Sequence, residues 1–523
     1  CPVAIPEIIH SSLDDRKLLA KMQDVKDQDV KAGLINGNTT GSEQKPSVAQ
    51  RKWRSDGYFS ESGAFLKENW VPMLANTFEW FEFATFAYLV DPISENFAYG
   101  DHVTVWFIFS IAFLCRPIGG FLIGYLGDVM GRKPAFWVAS IAVVCSTVLQ
   151  GALPSYRAGG KVGGTIGLAG LLCLRITQGL GIGGELGSGI IYLSESSPRR
   201  HVGMTMGLLS ASSGLGFMFA SFVAAALHSS GLSRNEIYDW GWRLPFLLAL
   251  IPGVLVLYLL NTIDETTVFE KEVKYNAVEV SDDDKSSVDG AAGGDNHVRL
   301  DENSVPPTPR QQLHGDNALS KSTPAIVALF AMMAGSAAFW YVGCVYIFDW
   351  IRLDKATARD SKTMVDILWI AVLQNAVQLP TSIYFGYLVD RYGLRSVFPA
   401  VLGACLVAGY PIYALLDDSL SLPVIVLGPG ILFGIVSGAL GTTSNLLSSD
   451  IFHPKARHRG VGLGYNTSIM IFGGLGPAWV ELAKDSIPLA AGYFLMLTAA
   501  FSFIVYYFYG YSLLPLSKPM REE

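Results

Sequence analysis

The chain has 523 residues, of which 50% are hydrophobic, 12% aromatic and only 16% charged. That balance excludes an ordinary soluble globular protein and is typical of a chain with many membrane-spanning helices. The formal net charge of −7 argues against nucleic-acid binding, and the six cysteines show neither metal-ligand nor disulfide spacing.

Three polar segments divide the chain. Residues 1–65 lack an apolar h-region, so we expect a cytosolic, disordered tail rather than a signal peptide. Residues 264–323, which contain the run VSDDDKSSVDGAAGGDNH, predict a cytosolic linker, and residues 516–523 predict a short cytosolic tail. Two membrane domains remain, 66–263 and 324–515.

Each membrane domain contains six apolar runs long enough to cross ~30 Å of hydrocarbon as a helix. The predicted spans are 72–92, 103–127, 134–153, 165–194, 203–228 and 242–263, then 324–350, 365–389, 396–415, 422–447, 460–483 and 488–514. The predicted fold class is therefore an all-α membrane protein with twelve transmembrane helices in two six-helix bundles.

Two landmarks recur in the same order in both domains. The sequence GYLGDVMGR at 124–132 returns as GYLVDRYGLR at 386–395, and SESSPRRHVG at 194–203 has a counterpart in SDIFHPKARHRGVG at 449–462. Such a repeat indicates an internal duplication. A duplicated membrane chain is most often a transporter whose site lies between the two pseudo-symmetric halves.

Lysine and arginine are nearly balanced between the two sets of short loops. Arg51, Lys52 and Arg54, just before the first span, favour the orientation with both termini in the cytosol. We therefore expect an integral, multi-pass protein of the lipid bilayer, with the plasma membrane as its most natural location.

Ionisable residues within the spans are the main functional candidates, because a charge near the bilayer centre is costly. The predicted proton-coupling carboxylates are Glu79, Glu82 and Glu185, and the buried cations are Arg116 and Arg175. Arginine stays charged, whereas a carboxylate kept from water takes up a proton more readily. The alternative interpretation is an ion-pair network that only locks the helices together.

The second domain offers amides and aromatic rings instead of mid-membrane charges. An aromatic face can hold a quaternary ammonium group, although such rings are often only packing residues. The predicted substrate-binding residues of both domains are Asn76, Arg116, Arg175, Trp340, Tyr341, Gln374 and Gln378.

The glycine run GLGIGGELGSG at 179–189 contains a literal G-x-G-x-x-G. A dinucleotide site would need a preceding strand and a following helix, and this run lies inside an apolar span. We interpret its small residues, such as Gly183 and Gly187, as positions where helix backbones approach closely.

Several motifs together resemble the major facilitator superfamily, specifically the metabolite:proton symporter family that includes proline/betaine and α-ketoglutarate permeases. NTFEWFEF at 76–83 resembles the family pattern N-x-x-E-W-Y-D-F, and RPIGG at 116–120 matches R-P-x-G-G. Further similarities are GYLGDVMGRK at 124–133, with Val129 in place of a basic residue, the fourth-span run from Arg175 to Ser196, WRLPF at 242–246 and FGGLGP at 472–477.

The resemblance implies two helix bundles around a central cavity that opens alternately to either side. It implies that cytosolic gating contacts, rather than the substrate site, contain Asp128, Arg132, Glu195 and Asp390. It also implies a small-molecule substrate, no cofactor beyond H⁺ as the coupling ion, a monomer and no enzymatic activity.

Members of that family carry zwitterions or organic anions. A dicarboxylate would need two cavity cations, whereas a zwitterion needs one cation, one anion and an aromatic surface. A zwitterion such as betaine or proline fits this set of residues. Arg116 is the cation, Glu79 or Glu82 the anion, and Trp340 with Tyr341 the aromatic surface. An organic-anion:proton symporter, an uncoupled facilitator and a transporter-like membrane sensor remain the alternatives.

Overall fold

The computed structural model describes residues 57–130, 132–260, 316–354, 361–418, 421–452 and 457–510. Within these ranges the chain is helical and forms no strand. The tail before residue 57, most of the predicted linker and the predicted tail 516–523 lie outside the described residues.

Apart from segments of five residues or fewer, the described residues of the first half form eight helices, of which six are long passes. They are α1 (Tyr58–Glu68), α2 (Trp70–Tyr88), α3 (Val90–Phe97), α4 (His102–Met130), α5 (Arg132–Ala152), α6 (Tyr156–Ser196), α7 (Val202–Ser229) and α8, which joins Arg243–Leu248 to Leu250–Leu260. Between α7 and α8 lie the short Arg234–Glu236 and the π-helical Ile237–Gly241.

The second half contains six passes, four of them with a π-helical segment. They are α9 (Asp316–Ala338, Phe339–Tyr346 and Ile347–Asp354), α10 (Ser361–Tyr392), α11 (Leu394–Asp418), α12 (Leu422–Ile425, Val426–Leu432 and Phe433–Asp450), α13 (Arg457–Ser468, Ile469–Gly474 and Gly476–Ala483) and α14 (Ala490–Val505 and Tyr506–Gly510). The described residues thus make twelve passes, six in each half.

By length and composition, seven helices of the described residues could each cross a membrane, and the bent pair Arg234–Gly241 and Arg243–Leu259 makes an eighth. The passes outside this set include α2, α10 and α13. The apolar sequence of α2 contains the charged residues Glu79 and Glu82. That of α10 contains the polar residues Gln374, Asn375 and Gln378. These polar side chains are buried inside the protein, which is how a membrane helix tolerates them.

The two halves meet where α7 packs on α10, α4 on α13 and α2 on α9. Glycines permit the closest approach between α7 and α10. A Cβ on Gly203 would lie 2.7 Å from both the Gly386 carbonyl and the Asp390 carboxylate. Within the first half, a Cβ on Gly183 of α6 would lie 2.0 Å from the Arg116 carbonyl of α4, so that glycine has the packing role we inferred.

The helices extend beyond the spans expected from the sequence. Residues 58–65, assigned to the disordered tail, form most of α1, and α9 begins at Asp316, inside the predicted linker. The polar composition of α1 hid this helix. Its buried side chains, Glu61, Ser62 and Phe65, contact the rest of the protein rather than lipid.

We name the two faces by residues that lie on them. The Tyr58 face contains α1, the start of α7 and the end of α10. The His102 face contains α3, the start of α4 and the end of α9.

Candidate functional site

A small cavity lies between the halves, about midway between the two faces. Residues of α2, α7, α9, α12 and α13 line it, among them Trp80, Ser213, Trp340, Tyr341 and Tyr465. Its volume is about 50 Å³. A cavity of roughly 150 Å³ is needed to hold a molecule the size of benzene. This cavity must therefore expand to admit an organic solute.

Arg116 is the buried cation of this region. Its side chain is 1% exposed, and its guanidinium lies over the rings of Phe113 and Phe83 at 4.5 and 5.1 Å from their centroids. Within the described part of the chain, its Nε and Nη1 have no hydrogen-bond partner. An unpaired buried donor is costly, so these two nitrogens can gain much from an anionic ligand.

Glu79 and Glu82 lie on the same side of α2 and are both buried. Glu79 is within electrostatic reach of Arg116, although no carboxylate oxygen lies within 4.0 Å of that guanidinium among the described residues. Glu82 bonds to Thr147, and its Oε2 has no partner in the described residues. The sequence-predicted carboxylates and cation thus meet in one region without forming a closed ion pair.

Arg175 is held differently from Arg116. Its Nη1 donates to Gln178 Oε1 at 2.7 Å, and its Nη2 donates to the Phe109 carbonyl at 2.9 Å. Gln178 in turn donates to Thr147 at 2.9 Å, so a polar chain connects Arg175 to Glu82. Arg175 is within electrostatic reach of Arg116 as well.

Aromatic rings form one wall of the cavity. Trp80 of α2 and Trp340 of α9 face each other across the halves at 6.3 Å between centroids, and Phe217 lies 5.4 and 5.6 Å from them. Asn76 holds Trp80 in place by accepting its indole N–H at 3.1 Å. The amide nitrogen of Asn76 donates to Ser212 and Ser213, so Asn76 orients the wall.

The predicted residues of the second half are buried near the same interface. The Tyr341 hydroxyl and Gln374 Oε1 have no hydrogen-bond partner in the described residues. Gln374 donates to the Cys344 carbonyl at 3.1 Å, and Gln378 accepts from Ser437 at 3.2 Å. Tyr341 also lies within electrostatic reach of Arg116 and Glu79.

Asp390 of α10 joins the halves at the Tyr58 face. Its carboxylate accepts the backbone N–H groups of Gly203 and Met204 at 2.7 and 2.8 Å, and the Tyr58 hydroxyl at 2.6 Å. A carboxylate at the N-terminus of α7 is favoured by the helix dipole. The gating role that the resemblance implied for Asp390 stays a prediction.

Helix α1 is attached to the first half by Glu61. This carboxylate accepts from Arg200 and, at 2.6 Å, from His201 Nε2. Burial alone would raise the pKa of Glu61, but these donors outweigh burial and hold the pKa below its usual value. Burial lowers the pKa of His201 despite the neighbouring carboxylate. Because Tyr58 and Phe59 also contact the Tyr387 ring of α10, α1 bridges both halves.

Four predicted residues have side chains outside the described part of the chain. They are the gating candidates Asp128, Arg132 and Glu195 and the proton-coupling candidate Glu185. Their assigned roles stay predictions.

Sequence reasoning missed several residues of the site and of the gates. Trp80 stood in a quoted motif but was not singled out, and the rings of Phe83 and Phe113 around Arg116 carried no signal of their own. Tyr58 and His201 lie in polar segments without periodicity. The aromatic residues within three or four positions of each buried charge were the available clue, because these positions share a helix face.

Comparison with known proteins agrees with this architecture. A sequence model of the Major Facilitator Superfamily matches residues 73–477. A putative proline/betaine transporter of Staphylococcus haemolyticus is 29% identical over 454 residues, which cover 83% of this chain and 85% of that protein. The ectoine/proline transporter ProP of Corynebacterium glutamicum is 28% identical, with 82% of this chain and 80% of that protein covered.

Among solved structures, the fold is similar to that of the proton:xylose symporter XylE bound to 6-bromo-6-deoxy-D-glucose. The TM-score is 0.63 at 15% identity, with 86% of this chain and 96% of that chain covered. The partially occluded inward-open form of XylE from E. coli gives 0.59 at 15% identity, with 86% and 99% covered. The resemblance drawn from the motifs is confirmed: this chain belongs to the Major Facilitator Superfamily, whose members here are transporters rather than enzymes.

Proposed function

We propose that this protein is a secondary active transporter that carries a small zwitterionic solute together with protons. The observation that carries the proposal is the buried Arg116 guanidinium, which has two nitrogens without a hydrogen-bond partner among the described residues and lies within electrostatic reach of Glu79, on the same side of α2 as Glu82. The relatives named proline/betaine and ectoine/proline transporters support the substrate class.

Arg116 would bind the carboxylate of the solute. A guanidinium presents donors in a fork that matches a carboxylate, and the water-poor interior strengthens that interaction. The rings of Phe83 and Phe113 cover the apolar surface of the guanidinium and exclude water from it. The Tyr341 hydroxyl lies near the same guanidinium and would add a further donor.

Trp80, Phe217 and Trp340 would face the cationic end of the solute. Aromatic faces attract quaternary and secondary ammonium groups by about 0.5–2 kcal/mol per well-placed ring. Since Trp80 and Trp340 belong to different halves, a solute between them would contact both halves at once. That contact would stabilise the closed state of the loaded carrier.

Glu79 and Glu82 would carry the coupling proton. A buried carboxylate without a cation in contact is strongly destabilised in its charged form, and protonation removes that penalty. Glu79 lies within electrostatic reach of Arg116, and Glu82 lies within reach of Glu79, so Arg116 cannot neutralise both carboxylates and the solute at once. Occlusion would therefore favour the state that holds solute and proton together, which links the two fluxes.

The test is uptake by proteoliposomes with an inwardly directed proton gradient. Arg116→Lys keeps the charge but loses the fork, so we expect KM for betaine or proline to rise about 30-fold or more, which is the loss of roughly 2 kcal/mol. Glu82→Gln should abolish acid-driven accumulation while leaving solute exchange at equal pH. The matched control is Asp485→Asn, at an exposed position near the His102 face.

If acid-driven accumulation persists unchanged in both Glu79→Gln and Glu82→Gln, the proton assignment is wrong. If wild-type flux equilibrates the solute without concentrating it, the protein is an uncoupled facilitator. Tight binding without any flux would indicate the sensor alternative.

An organic-anion:proton symporter is the second candidate function, and one observation favours it. Arg175 is within electrostatic reach of Arg116, so two guanidiniums could receive a dicarboxylate. However, Arg175 already donates to Gln178 and to the Phe109 carbonyl. Competition of betaine, proline and α-ketoglutarate for one labelled solute separates these substrate classes.

We also propose that the protein acts as a monomer in the plasma membrane, with the Tyr58 face in the cytosol. The arginines and lysine just before α1 support this orientation. Tags at both ends of the chain should then be reached by antibodies only after the cells are permeabilised. Native mass spectrometry of the detergent-solubilised protein tests the monomer.

A further inference from the structure

The cavity between the halves has a polar wall as well as an aromatic one. The polar wall belongs to the second half, where Ser336 lies on α9 and Ser444 and Asn445 lie on α12. Residues spaced three or four apart share a helix face. Gly441, Ser444 and Asn445 therefore line the cavity from one face of α12.

Asn445 lies about one helical turn from Trp340, towards the Tyr58 face. A Cβ on Gly441 would meet the Trp340 ring at 3.1 Å, so Gly441 lies against that ring. Asn445 follows Gly441 by four residues, and α12 runs alongside α10 towards the Tyr58 face. At 1.5 Å per residue, Asn445 is about 6 Å further along α12 than the residue that touches the ring. A solute that contacts Trp340 can thus reach Asn445 at the same time.

The Asn445 side chain is half-buried and makes no hydrogen bond to the described residues. Its carboxamide has two N–H donors and an acceptor oxygen. Two other buried amides near the interface between the halves are bonded, because Asn76 donates to Ser212 at 2.7 Å and Asn375 donates to the Tyr88 hydroxyl at 3.1 Å. A polar group kept from bulk water needs a partner, so the amide of Asn445 gains from a polar ligand.

The serines of the cavity differ between the two halves. On the first half, Ser213 gives its hydrogen to the Leu209 carbonyl at 3.2 Å. On the second half, Ser444 gives its hydrogen to Ser336 at 2.8 Å, and no bond donated by Ser336 is present among the described residues. A hydroxyl has one hydrogen and two lone pairs. The hydrogen of Ser336 therefore remains for an acceptor in the cavity.

We propose that Asn445 and Ser336 bind a hydroxyl group of the solute, so that the protein selects zwitterions that carry a hydroxyl besides their carboxylate and ammonium groups. This inference rests on the proposed function and names its substrate class more narrowly. A solute hydroxyl donates to the Asn445 oxygen and accepts from Ser336, while the carboxylate binds Arg116 and the cation faces Trp340. A zwitterion without the hydroxyl leaves these polar groups without a partner, which is the basis of the discrimination.

The test compares solutes that differ by one hydroxyl. Trans-4-hydroxyproline is compared with proline, and carnitine with γ-butyrobetaine. Dissociation constants are measured by isothermal titration calorimetry on the detergent-solubilised full chain, so the measurement does not depend on flux. In at least one pair, the wild type should bind the hydroxylated solute about tenfold more tightly, since a neutral hydrogen bond to a buried partner changes affinity by about that factor.

Three variants remove parts of the polar wall. Asn445→Leu keeps the approximate size of the side chain but removes its polar atoms. The preference should fall to about twofold or less, through weaker binding of the hydroxylated solute alone. Asn445→Thr retains a hydroxyl at this position and should keep part of the preference. Ser336→Ala removes the second partner and should reduce the preference about threefold.

Two controls separate recognition of the hydroxyl from packing. Trp340→Leu should weaken the binding of both members of a pair alike, so the ratio of their affinities stays at the wild-type value. Asn235→Leu makes the same exchange as Asn445→Leu at an exposed position and should change neither affinity.

The proposal is overturned if the wild type binds both members of both pairs equally or binds none of the four solutes, or if Asn445→Leu keeps the wild-type ratio. Acid-driven accumulation in proteoliposomes tests the proposed function separately. Accumulation of a zwitterion, together with an unchanged ratio in Asn445→Leu, would refute this inference alone. A preference that is lost in Asn445→Leu, without any flux in the wild type, would refute the transport proposal alone.

Discussion

An aspartate of the second half contacts the first half at each face of the protein, but the two aspartates have different partners. At the Tyr58 face, Asp390 accepts from two backbone amides at the start of α7 and from a tyrosine hydroxyl. At the His102 face, Asp349 accepts from an imidazole and an indole. Asp390 is thus held by backbone amides and a phenol, and Asp349 by the ring nitrogens of two side chains.

The comparison suggests that the contacts at the two faces depend on different features of the structure. Closure at the Tyr58 face depends on fit, because Gly203 and Gly386 must allow two helices to approach before the amides reach Asp390. At the His102 face the contact is made by side chains, Asp349 with His102 and Trp106.

The largest expected effect is that of Asp390→Asn, which tests the contact at the Tyr58 face. An asparagine has one acceptor oxygen where three donors converge, and its amide would face a backbone N–H. Hydrogen bonds to a charged group contribute about 1.5–3 kcal/mol each, so the closed state should lose on the order of 100-fold in population. Hydrogen exchange at the amides of Gly203 and Met204 should accelerate by about that factor.

Asp366→Asn is the matched control for this variant, since Asp366 is an exposed residue on the same helix. Its exchange rates at Gly203 and Met204 should equal those of the wild type. Unchanged protection in Asp390→Asn would mean that the contact does not hold the Tyr58 face closed. The two gates would then not be comparable.

A smaller effect on the same gate is expected from Gly203→Ala. The new methyl group would lie 2.7 Å from the Asp390 carboxylate and from the Gly386 carbonyl, so one of the helices must move. Overpacking of this kind typically costs about 1–3 kcal/mol. Exchange at Met204 should accelerate about 5- to 100-fold, whereas Gly403→Ala, where a Cβ meets nothing within 4 Å, should change nothing. An unaltered Met204 rate would contradict the claim that this gate depends on fit.

The fold was accessible from the sequence because hydropathy and the internal repeat are local or nearly local signals. Arg116 could be recognised as a buried cation, since the apolar run around it leaves a charge few other places to go. That its Nε and Nη1 have no hydrogen-bond partner among the described residues could not be predicted. That depends on how α2 turns relative to α4, which brings Phe83 against the guanidinium and leaves Glu79 outside contact distance.

The contacts at the two faces were harder to predict from the sequence. His102 and Asp349 are 247 positions apart, and each lies at the end of a span, where charged residues are common and attract no notice. Helix α1 was assigned to the tail because its composition is polar. Glu61 and Tyr58 stabilise it by contacts with His201 and Asp390, which are distant in sequence. Tertiary contacts thus override a composition that by itself indicates disorder.

The smallest expected effect concerns α1, which docks at the Tyr58 face. Burial lowers the pKa of His201 below its usual 6.5, so the undocked state binds the proton better. Neutral His201 therefore stabilises the docked state of α1 fully above about pH 6.5, and this stabilisation is lost as the pH falls. Glu61, with its lowered pKa, stays ionised over that range. Hydrogen exchange of residues 58–68, corrected for intrinsic rates, should therefore accelerate a few-fold from pH 7.5 to 5.5. His201→Gln should remove this dependence while His228→Gln keeps it. Protection of α1 that grows in acid would instead mean that His201 docks in its protonated form on Glu61.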